Sequence, residues 1–401
     1  MGFLETLGVK CINELAIREK RVFLRTDFNF PADESENVAD FDRMEKIIPT
    51  IRHILERNAR LIIASHFGRP ESEKDIQYTL EPFAAKLAEI LDQDIYFFED
   101  CVGMGAMQMV RDLKPGQILV LENLRFNEDE KKGSTAFARD LAKMCDVYIN
   151  DAFGVSHRKD TSIAVLPRFT DTKGAGLSLK DEVDVLSKFL GMGHGSGLCI
   201  MLGGSNVADK IGLIRPMLDI ADKIIVGGAV AHVFLAAKGI RSGATEVDES
   251  KIPLAKEILK SAGVRKVEIV LPVDFVVAET VNSTETMTCN ADSFPEGMTA
   301  FDIGPETVEL FARKAAECSQ LFWSGPMGVY EKPLFLNGSV RLAEKIAKFP
   351  VLKVVGGGDT GLMLKKSNLT NSFDHVFTGG MAALEFLKNG GNLPGIDALK
   401  G

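Results

Sequence analysis

Cationic side chains stand at the ends of several predicted strands in the first half of the chain. Apolar, β-branched runs predict strands at 21–30, 61–67, 118–126 and 146–151. The residues at or just after their ends are Arg25, Asp27, Asn29, His66, Arg69, Arg125, His157 and Arg158, and Arg43 opens the first long predicted helix. Ligands of parallel sheets bind beyond the carboxyl ends of the strands. Arginine forks in that place predict a site for a small anion that carries a phosphate and a carboxylate.

Each of these residues also has an ordinary structural interpretation. A single arginine is explained equally well by a solvated ion pair, and His66 by a hydrogen-bonded role in the scaffold. The prediction of a site therefore depends on finding the cations together, at corresponding ends of neighbouring strands.

A second chemical signal lies at 351–360, where a buried strand is followed by three glycines and Asp359. Because Gly357 and Gly358 lack a Cβ, their backbone can approach a phosphate, and the helix that follows adds the positive end of its dipole. Asp359, just before Thr360, is placed to hold Mg²⁺ against phosphate oxygens. The alternative is a glycine-rich turn in which Asp359 caps the helix.

Strand, turn and helix recur at 198–210, with Gly204 in the turn. Lys210 lies about one helical turn into the helix, where it can reach a phosphate at the helix N-terminus. The alternative is a solvated lysine on the helix surface. A further strand and turn end at Gly228, and Gly380 opens the last long helix. The glycine run 191–197 fails the dinucleotide fingerprint because Ser196 stands where a glycine is needed, so we interpret it as a flexible connection.

Strands alternate with helical patterns along the chain, which predicts βαβ units and an α/β fold with parallel sheets. Helices are predicted at 41–58, 79–91, 103–113, 135–144 and 181–190, and further strands at 95–99, 223–226 and 268–277. We expect the helix at 181–190 and the glycine run after it to connect two domains.

Composition limits the function classes. A length of 401 residues predicts two or three domains, and a net charge of −9 argues against nucleic-acid binding. Six scattered cysteines without short paired spacing argue against a zinc site or a disulfide framework and favour a reducing cytoplasm. The sequence contains no run of about 18 apolar residues, so no membrane span is predicted. The first residues lack the basic region and apolar core of a signal peptide.

Long motifs in collinear order resemble phosphoglycerate kinases over essentially the whole chain. The first half contains RTDFNFP, SHFGRP, LENLRF and INDAFGVSHR. The second half contains LGGSNVADKIGLI, LPVDFVVA, DIGPETVELF, WSGPMGVYE, VVGGGDT and LPGIDAL. The resemblance implies two doubly wound (Rossmann-like) domains joined by a hinge helix. The implied boundaries are 1–178 for the phosphoglycerate domain, 179–197 for the interdomain helix and linker, 198–388 for the nucleotide domain, and 389–401 for a tail that returns to the first domain.

The family resemblance also implies ligands and residue roles. It implies reversible transfer of a phosphoryl group from 1,3-bisphosphoglycerate to Mg-ADP, giving 3-phosphoglycerate and ATP, by a monomer. The implied phosphoglycerate contacts are Asp27, Asn29, Arg43, His66, Arg69, Arg125 and Arg158. The implied nucleotide contacts are Gly204, Lys210, Gly228, Glu331, Gly357, Gly358, Asp359 and Thr360, with Asp359 at the magnesium. Arg43, Lys210, Gly357 and Gly380 are the implied catalytic positions.

The nucleotide half departs from the family pattern at four positions. Asn206 stands where the family has the lysine that neutralises the phosphoryl group in transfer, and Ser324, Ala229 and Met381 replace an asparagine and two glycines. Loss of one positioned electrostatic donor typically costs about 10²–10³ in rate. Two interpretations follow: a working kinase in which another cation substitutes for the lysine, or a paralogue with weak turnover that binds ligands. An NAD-dependent oxidoreductase is disfavoured because no dinucleotide fingerprint follows a strand.

Overall fold

The computed structural model describes residues 2–28, 42–72, 75–190 and 195–401, with the side chains of residues 42 and 43 left out. The described chain divides into two compact units. Unit 1 contains the chain up to Lys188 together with Asn389–Gly401, and unit 2 is Phe189–Lys388. Unit 1 thus extends about ten residues beyond the boundary expected at 178. Residues 191–194 of the expected linker lie outside the described residues, and the hinge stays a prediction.

Unit 1 is built on a six-stranded parallel sheet in the order β3-β4-β2-β1-β5-β6. Its strands are β1 (Arg21–Arg25), β2 (Arg60–Ala64), β3 (Ile95–Phe98), β4 (Ile118–Leu121), β5 (Val147–Asn150) and β6 (Thr172–Ala175). The inner strands are buried at nearly every position, as expected for apolar strands with helices on both faces.

Unit 2 contains a second six-stranded parallel sheet, in the order β15-β14-β13-β7-β8-β9. A separate antiparallel sheet has the order β11-β10-β12. The strands are β7 (Leu198–Leu202), β8 (Lys223–Val226), β9 (Glu268–Val270), β10 (Asp274–Ala278), β11 (Met287–Asn290), β12 (Thr299–Ile303), β13 (Gln320–Ser324), β14 (Leu352–Gly356) and β15 (His375–Phe377). The two parallel sheets confirm the predicted α/β class.

Helices follow most strands and cover the parallel sheets. They are α1 (Phe3–Thr6), α2 (Asp42–Leu55), α3 (Glu81–Leu91), α4 (Gly103–Asp112), α5 (Asp129–Lys132), α6 (Thr135–Ala142), α7 (Leu177–Ser187), α8 (Val207–Met217), α9 (Gly228–Ala237), α10 (Ile252–Arg265), α11 (Pro305–Ala316), α12 (Pro333–Ala347), α13 (Gly358–Lys366), α14 (Gly380–Lys388) and α15 (Pro394–Asp397). Within the described ranges no helix is both long and apolar enough to cross a membrane.

Two strand predictions differ from the structure. The predicted strand at 118–126 ends at Leu121 and is followed by a 3₁₀ turn at Leu124–Phe126. The prediction of a single strand at 268–277 was wrong. The run 268–277 forms two strands in two different sheets, β9 and β10. Pro272 lies between them, and a proline has no N–H to donate to a sheet ladder, so the strand ends there. The apolar run continues across this break, which is why hydrophobic pattern alone predicted one strand.

A buried carboxyl group connects the end of β5 to α7. Asp151 is 3% exposed, and its Oδ1 accepts a hydrogen bond from the Leu179 N–H at 2.9 Å. Its Oδ2 has no hydrogen-bond partner among the described residues. Burial raises the pKa of Asp151 to about 7, and the nearby Glu182 acts in the same direction. The folded protein therefore favours the protonated form of this side chain.

We predict that Asp151→Asn removes a pH-dependent loss of stability. The pKa of Asp151 is raised on folding. The stability that the protonated side chain contributes is therefore fully present below about pH 4 and is lost as the pH rises to about 7. The free energy of unfolding of the variant, relative to wild type, should rise by about 4 kcal/mol across this window. Urea unfolding followed by circular dichroism at pH 4, 5.5, 7 and 8 measures it. Asp140→Asn, at an exposed position of the same unit, is the control. Parallel pH profiles for wild type and Asp151→Asn would contradict the prediction.

Candidate active site

The carboxyl edge of the unit 1 sheet gathers four of the predicted residues. Strands β4, β2, β1 and β5 are neighbours in that order and all run parallel. Asp27 follows β1, His66 follows β2, Arg125 lies in the 3₁₀ turn after β4, and Arg158 follows β5. Asp27 and His66 are 7% and 1% exposed, so these are positioned groups and not solvated surface charges. The parallel topology therefore brings these four residues to one edge.

Two guanidinium groups share one carboxylate at this edge. Arg158 Nε donates to Asp160 Oδ2 at 2.8 Å, and Arg125 Nη2 lies 3.8 Å from the same oxygen. Arg125 Nη1 donates to the Gly68 carbonyl at 2.6 Å, while its buried Nε has no partner among the described residues. Burial, and then the charge of Arg158, lowers the pKa of Arg125 to about 10. A second anion beside this pair would reduce the repulsion between the cations.

Asn123 fixes the turns that carry this pair. It is fully buried, and its Oδ1 accepts from the N–H groups of Phe67 and Arg125 at 3.2 and 3.0 Å. Its Nδ2 donates to the carbonyls of Phe67 and Tyr78 at 2.7 and 2.9 Å. One amide thus ties the loop after β2 to the turn after β4. Sequence reasoning missed Asn123 and Asp160, and a short polar residue next to a predicted strand end was the only available signal.

For three of the predicted phosphoglycerate contacts, the described side chains do not show a position at this edge. Asn29 lies outside the described residues. Arg43 belongs to the first turn of α2, but its side chain is not described. Arg69 lies in the loop after β2 with an exposed side chain. Their roles remain predictions.

Unit 2 contains a cavity of about 290 Å³ at the carboxyl edge of its sheet. Four predicted residues line it: Gly204, Gly228, Glu331 and Asp359. The turns after β7, β8 and β13 meet there. The Gly204 N–H donates to the Pro326 carbonyl at 2.6 Å, and the Ala229 N–H donates to the Gly204 carbonyl at 3.1 Å. Backbone from three strand ends therefore forms one wall.

Glycine is required at Gly228 for two reasons. Its φ is +56°, in the left-handed region. A Cβ there would also lie 2.5 Å from the Gly204 nitrogen. Any side chain would therefore separate the two turns that form the wall.

Lys210 extends back over the turn between β7 and α8. Its Nζ donates to the Gly203 carbonyl, and the residue is half-buried. Burial lowers the pKa of Lys210 to about 8, and the charge of Asp359 opposes that shift. The amine is therefore a partly desolvated cation held at the glycine-lined turn, which disfavours the alternative of a fully solvated surface lysine.

Asn206, in contrast, serves as the N-cap of α8. Its Oδ1 accepts from the Asp209 N–H at 3.2 Å, and its Nδ2 donates to Asp209 Oδ2 at 2.5 Å. An asparagine is among the preferred residues at this position. Both ends of the amide are therefore engaged within the first turn of the helix.

Asp359 lies in the first turn of α13 and reaches the cavity. Its Oδ1 accepts a hydrogen bond from the Tyr330 hydroxyl at 3.3 Å. Burial raises the pKa of Tyr330, and the charge of Asp359 acts in the same direction. The hydroxyl thus remains a donor that orients the carboxylate.

Other predicted positions of this half have scaffold contacts instead of cavity contacts. Thr360 is fully buried, and its Oγ1 accepts from the Gly325 N–H at 2.7 Å. A Cβ on Gly380 would lie 2.8 Å from Ser324 Oγ and 2.9 Å from the Gly356 carbonyl. Gly357 precedes α13 with a φ of +107°. These residues shape the turn after β14 and do not line the cavity themselves.

The inner wall of the cavity was not predicted. It includes His232, Thr245 and Phe275. The His232 ring lies 4.8 Å from that of Phe275, and its Nδ1 is 2.9 Å from Ser242 Oγ. Burial lowers the pKa of His232 to about 4, so the ring is neutral at physiological pH. These residues come from separate elements without a shared motif, so sequence spacing gave no signal.

Comparisons with known proteins identify the family of this chain. The family model described as phosphoglycerate kinase matches residues 12–390. The chain belongs to the phosphoglycerate kinase family. Phosphoglycerate kinases of Anaeromyxobacter sp. strains Fw109-5 and K are 41% and 42% identical to it over 98% of this chain, covering 100% and 99% of their own lengths.

Solved structures of the phosphoglycerate kinase family show the same fold. The phosphoglycerate kinase of Coxiella burnetii has a TM-score of 0.81 at 33% identity, with 98% of both chains covered. That of Pyrococcus horikoshii OT3 has a TM-score of 0.85 at 30% identity, covering 97% of this chain and 98% of its own. The predicted family, fold class and enzyme class, a phosphotransferase, are confirmed. None of these matches favours the binding-only paralogue.

We predict that Arg125→Lys weakens binding of 3-phosphoglycerate by tenfold or more, with little effect on nucleotide affinity. Lysine cannot supply the planar fork that bonds Gly68 and faces Asp160. The matched control is Arg21→Lys. Arg21 begins β1, at the opposite edge of the same sheet, and its guanidinium group binds Asp146. Calorimetric titration with each ligand measures both affinities. An equal loss of 3-phosphoglycerate affinity in the two variants would show that the effect is not specific to the carboxyl edge.

Proposed function

We propose that this enzyme transfers a phosphoryl group between 1,3-bisphosphoglycerate and ADP. In this reaction an oxygen of the ADP terminal phosphate attacks the acyl phosphate, and the carboxylate of 3-phosphoglycerate leaves. The protein contributes position and charge rather than covalent chemistry. The observation that carries the proposal is the pair Arg125 and Arg158 at the carboxyl edge of unit 1, two cations that share the carboxylate of Asp160.

The phosphoglycerate is assigned to unit 1. Arg125 and Arg158 would bind its phosphate and carboxylate oxygens, because a guanidinium fork matches both. His66 and Asp27, buried at the ends of the neighbouring strands, would bind its polar atoms. Asn29, Arg43 and Arg69 complete the proposed set, and Arg43 is also assigned to the group in transfer.

The nucleotide is assigned to the cavity of unit 2. The wall formed at Gly204 and Gly228 allows close approach of a phosphate or ribose to the backbone. Glu331 at the rim would accept hydrogen bonds from ribose hydroxyls. The turn at Gly357 and Gly358, before Thr360, opens α13, and its helix dipole favours phosphate there. Gly380 would keep the adjacent helix close to that turn.

Magnesium fits this cavity as a companion of the nucleotide. No group of three or more His, Cys, Asp or Glu side chains suited to a metal occurs among the described residues. Mg²⁺ is commonly held by one or two carboxylates together with substrate phosphates. Asp359, oriented by Tyr330, supplies one such carboxylate. When bound, the ion would neutralise phosphate charge.

Lys210 is proposed to supply the charge that Asn206 lacks. The Asn206 amide is engaged with Asp209, whereas Lys210 places a partly desolvated amine at the turn beside Gly204. A cation in a site of low polarity stabilises transition-state charge more than one in water. This favours a working kinase over the paralogue with weak turnover.

We further propose that the protein acts as a monomer in the cytoplasm, without a nucleic-acid partner. All six cysteines are free thiols, which fits a reducing compartment. The net charge of −9 disfavours nucleic acid. Because the two ligands are assigned to different units, transfer also requires a closing motion at the predicted hinge.

We expect ATP-dependent phosphorylation of 3-phosphoglycerate in a coupled assay, with dependence on Mg²⁺. Omitting 3-phosphoglycerate is the control for ATP hydrolysis alone. Absence of turnover under conditions where calorimetry shows both ligands bound would favour the paralogue. Absence of binding would reject the substrate assignment.

We predict that Lys210→Met lowers kcat by about 10²–10³, whereas Asn206→Ala changes kcat less than tenfold. The physical reason is that Lys210 carries the charge and Asn206 caps α8. Asn206→Ala should instead lower stability by about 1 kcal/mol. Steady-state kinetics and urea unfolding of both variants measure these effects. The comparison with Asn206→Lys is decisive: a rise of about 10² or more in kcat would show that Lys210 does not substitute for the family lysine.

A further inference from the structure

A buried polar chain lies behind the carboxyl edge of unit 1. It connects Glu130 of α5 to His66 through Ser162 and Arg25, and all four side chains are at most 1% exposed. Ser162 Oγ donates to Glu130 Oε1 at 2.6 Å, and Arg25 Nε donates to Ser162 Oγ at 2.7 Å. Arg25 Nη2 then lies 3.2 Å from His66 Nδ1. Three elements far apart in sequence therefore converge on one histidine.

The orientation of Arg25 is fixed at each of its donors. Its Nη1 donates to the carbonyl of Thr26, and its Nε bonds Ser162. Ser162 uses its own proton for Glu130, and its backbone N–H donates to the other oxygen of that carboxyl at 3.0 Å. The Glu130 carboxyl lies 3.9 Å from Arg25 Nη2 and provides the opposite charge. The guanidinium has no alternative position without leaving buried donors unpaired.

This arrangement restricts the protonation of His66. A guanidinium has five N–H donors and no acceptor, so the histidine nitrogen facing it must present a lone pair. A proton on Nδ1 would face the N–H of Arg25 Nη2, and in the doubly protonated ring it would add a second positive charge beside Arg25. The carboxylate of Asp27 would favour a proton on Nδ1, but its Oδ1 lies 3.9 Å from that nitrogen, beyond hydrogen-bond distance. The closer, aligned guanidinium therefore decides the tautomer.

We propose that Arg25 is a positioning residue that holds His66 neutral with its proton on Nε2. This rests on the proposed function, in which His66 binds the phosphoglycerate. An Nε2–H donor suits an anionic ligand, whereas the other tautomer would present a lone pair to it. Arg25 thus sets the hydrogen-bonding character of a substrate contact without being assigned to the substrate itself.

The tautomer can be measured directly by ¹⁵N NMR of histidine-labelled protein at pH 7. The chain has six histidines, and the His66 signals are assigned by their loss in His66→Gln. We expect a pyridine-like Nδ1 and a pyrrole-like Nε2 for His66 in the wild-type protein. A protonated Nδ1, in either the neutral or the cationic ring, would overturn the proposal without need of any further variant.

Variants test whether Arg25 is the cause. Arg25→Met should give His66 a mixture of protonation states and raise the KM for 3-phosphoglycerate about tenfold, with the KM for ATP unchanged. Ser162→Ala removes the acceptor for Arg25 Nε. It should change the protonation of His66 and the KM for 3-phosphoglycerate in the same direction, but by less. Arg21→Lys, on the same strand but paired with Asp146, should leave the His66 signals unchanged. A folded Arg25→Met protein with the wild-type tautomer would overturn the proposal, and Ser162→Ala decides if Arg25→Met does not fold.

Addition of 3-phosphoglycerate separates this inference from the proposed function. We expect the His66 Nε2 signal to shift as the ligand saturates the protein. Saturation seen by calorimetry without a shift at His66 would overturn the inference and leave the proposed function standing. Failure of the ligand to bind at all would reject the proposed function, while the tautomer of the free protein would still test the role of Arg25.

Discussion

The parallel register of β1 with β2 and β5 is the constraint on which the rest of unit 1 depends. It pairs Arg25 with Ala64 on one side and Asn150 on the other, so the residues after each strand emerge at the same edge. Charged groups can be buried there only if their donors and acceptors are met. Asn123 and Asp160 meet several of them, while the buried Nε of Arg125 has no partner among the described residues. Asp160, shared by Arg125 and Arg158, offsets part of the repulsion between these two cations.

Much of this organisation was predictable, because parallel strands and their ends follow from apolar periodicity. The alternation of strands and helices predicted both sheets, and the positions of Arg125 and Arg158 followed from strand ends. The break at Pro272 was missed because the apolar run continues across it. The inner wall at His232 and Phe275 was missed for a different reason. Its residues come together only through tertiary packing, which leaves no spacing in the sequence.

The two units solve similar electrostatic problems with different groups. Unit 1 uses buried guanidinium groups, which stay charged because their pKa remains high even when burial lowers it, as at Arg125. In unit 2 the groups proposed to face phosphate are backbone N–H groups, a helix dipole and one amine. An amine loses its proton more readily on burial, and the pKa of Lys210 falls to about 8. The charge of Lys210, beside the cavity of unit 2, is thus more sensitive to its surroundings, including the carboxylate of Asp359.

The N-cap at Asn206 shows how local stability and catalytic charge compete for one position. A lysine there would bring a cation close to the cavity but would leave the first turn of α8 without its side-chain acceptor. Asparagine satisfies the helix and engages Asp209, at the cost of that cation. A cation that substitutes must come from a residue that leaves the cap intact. Lys210 meets that condition because it lies one turn further along the same helix, and its long side chain reaches back to the Gly203 carbonyl without disturbing the cap.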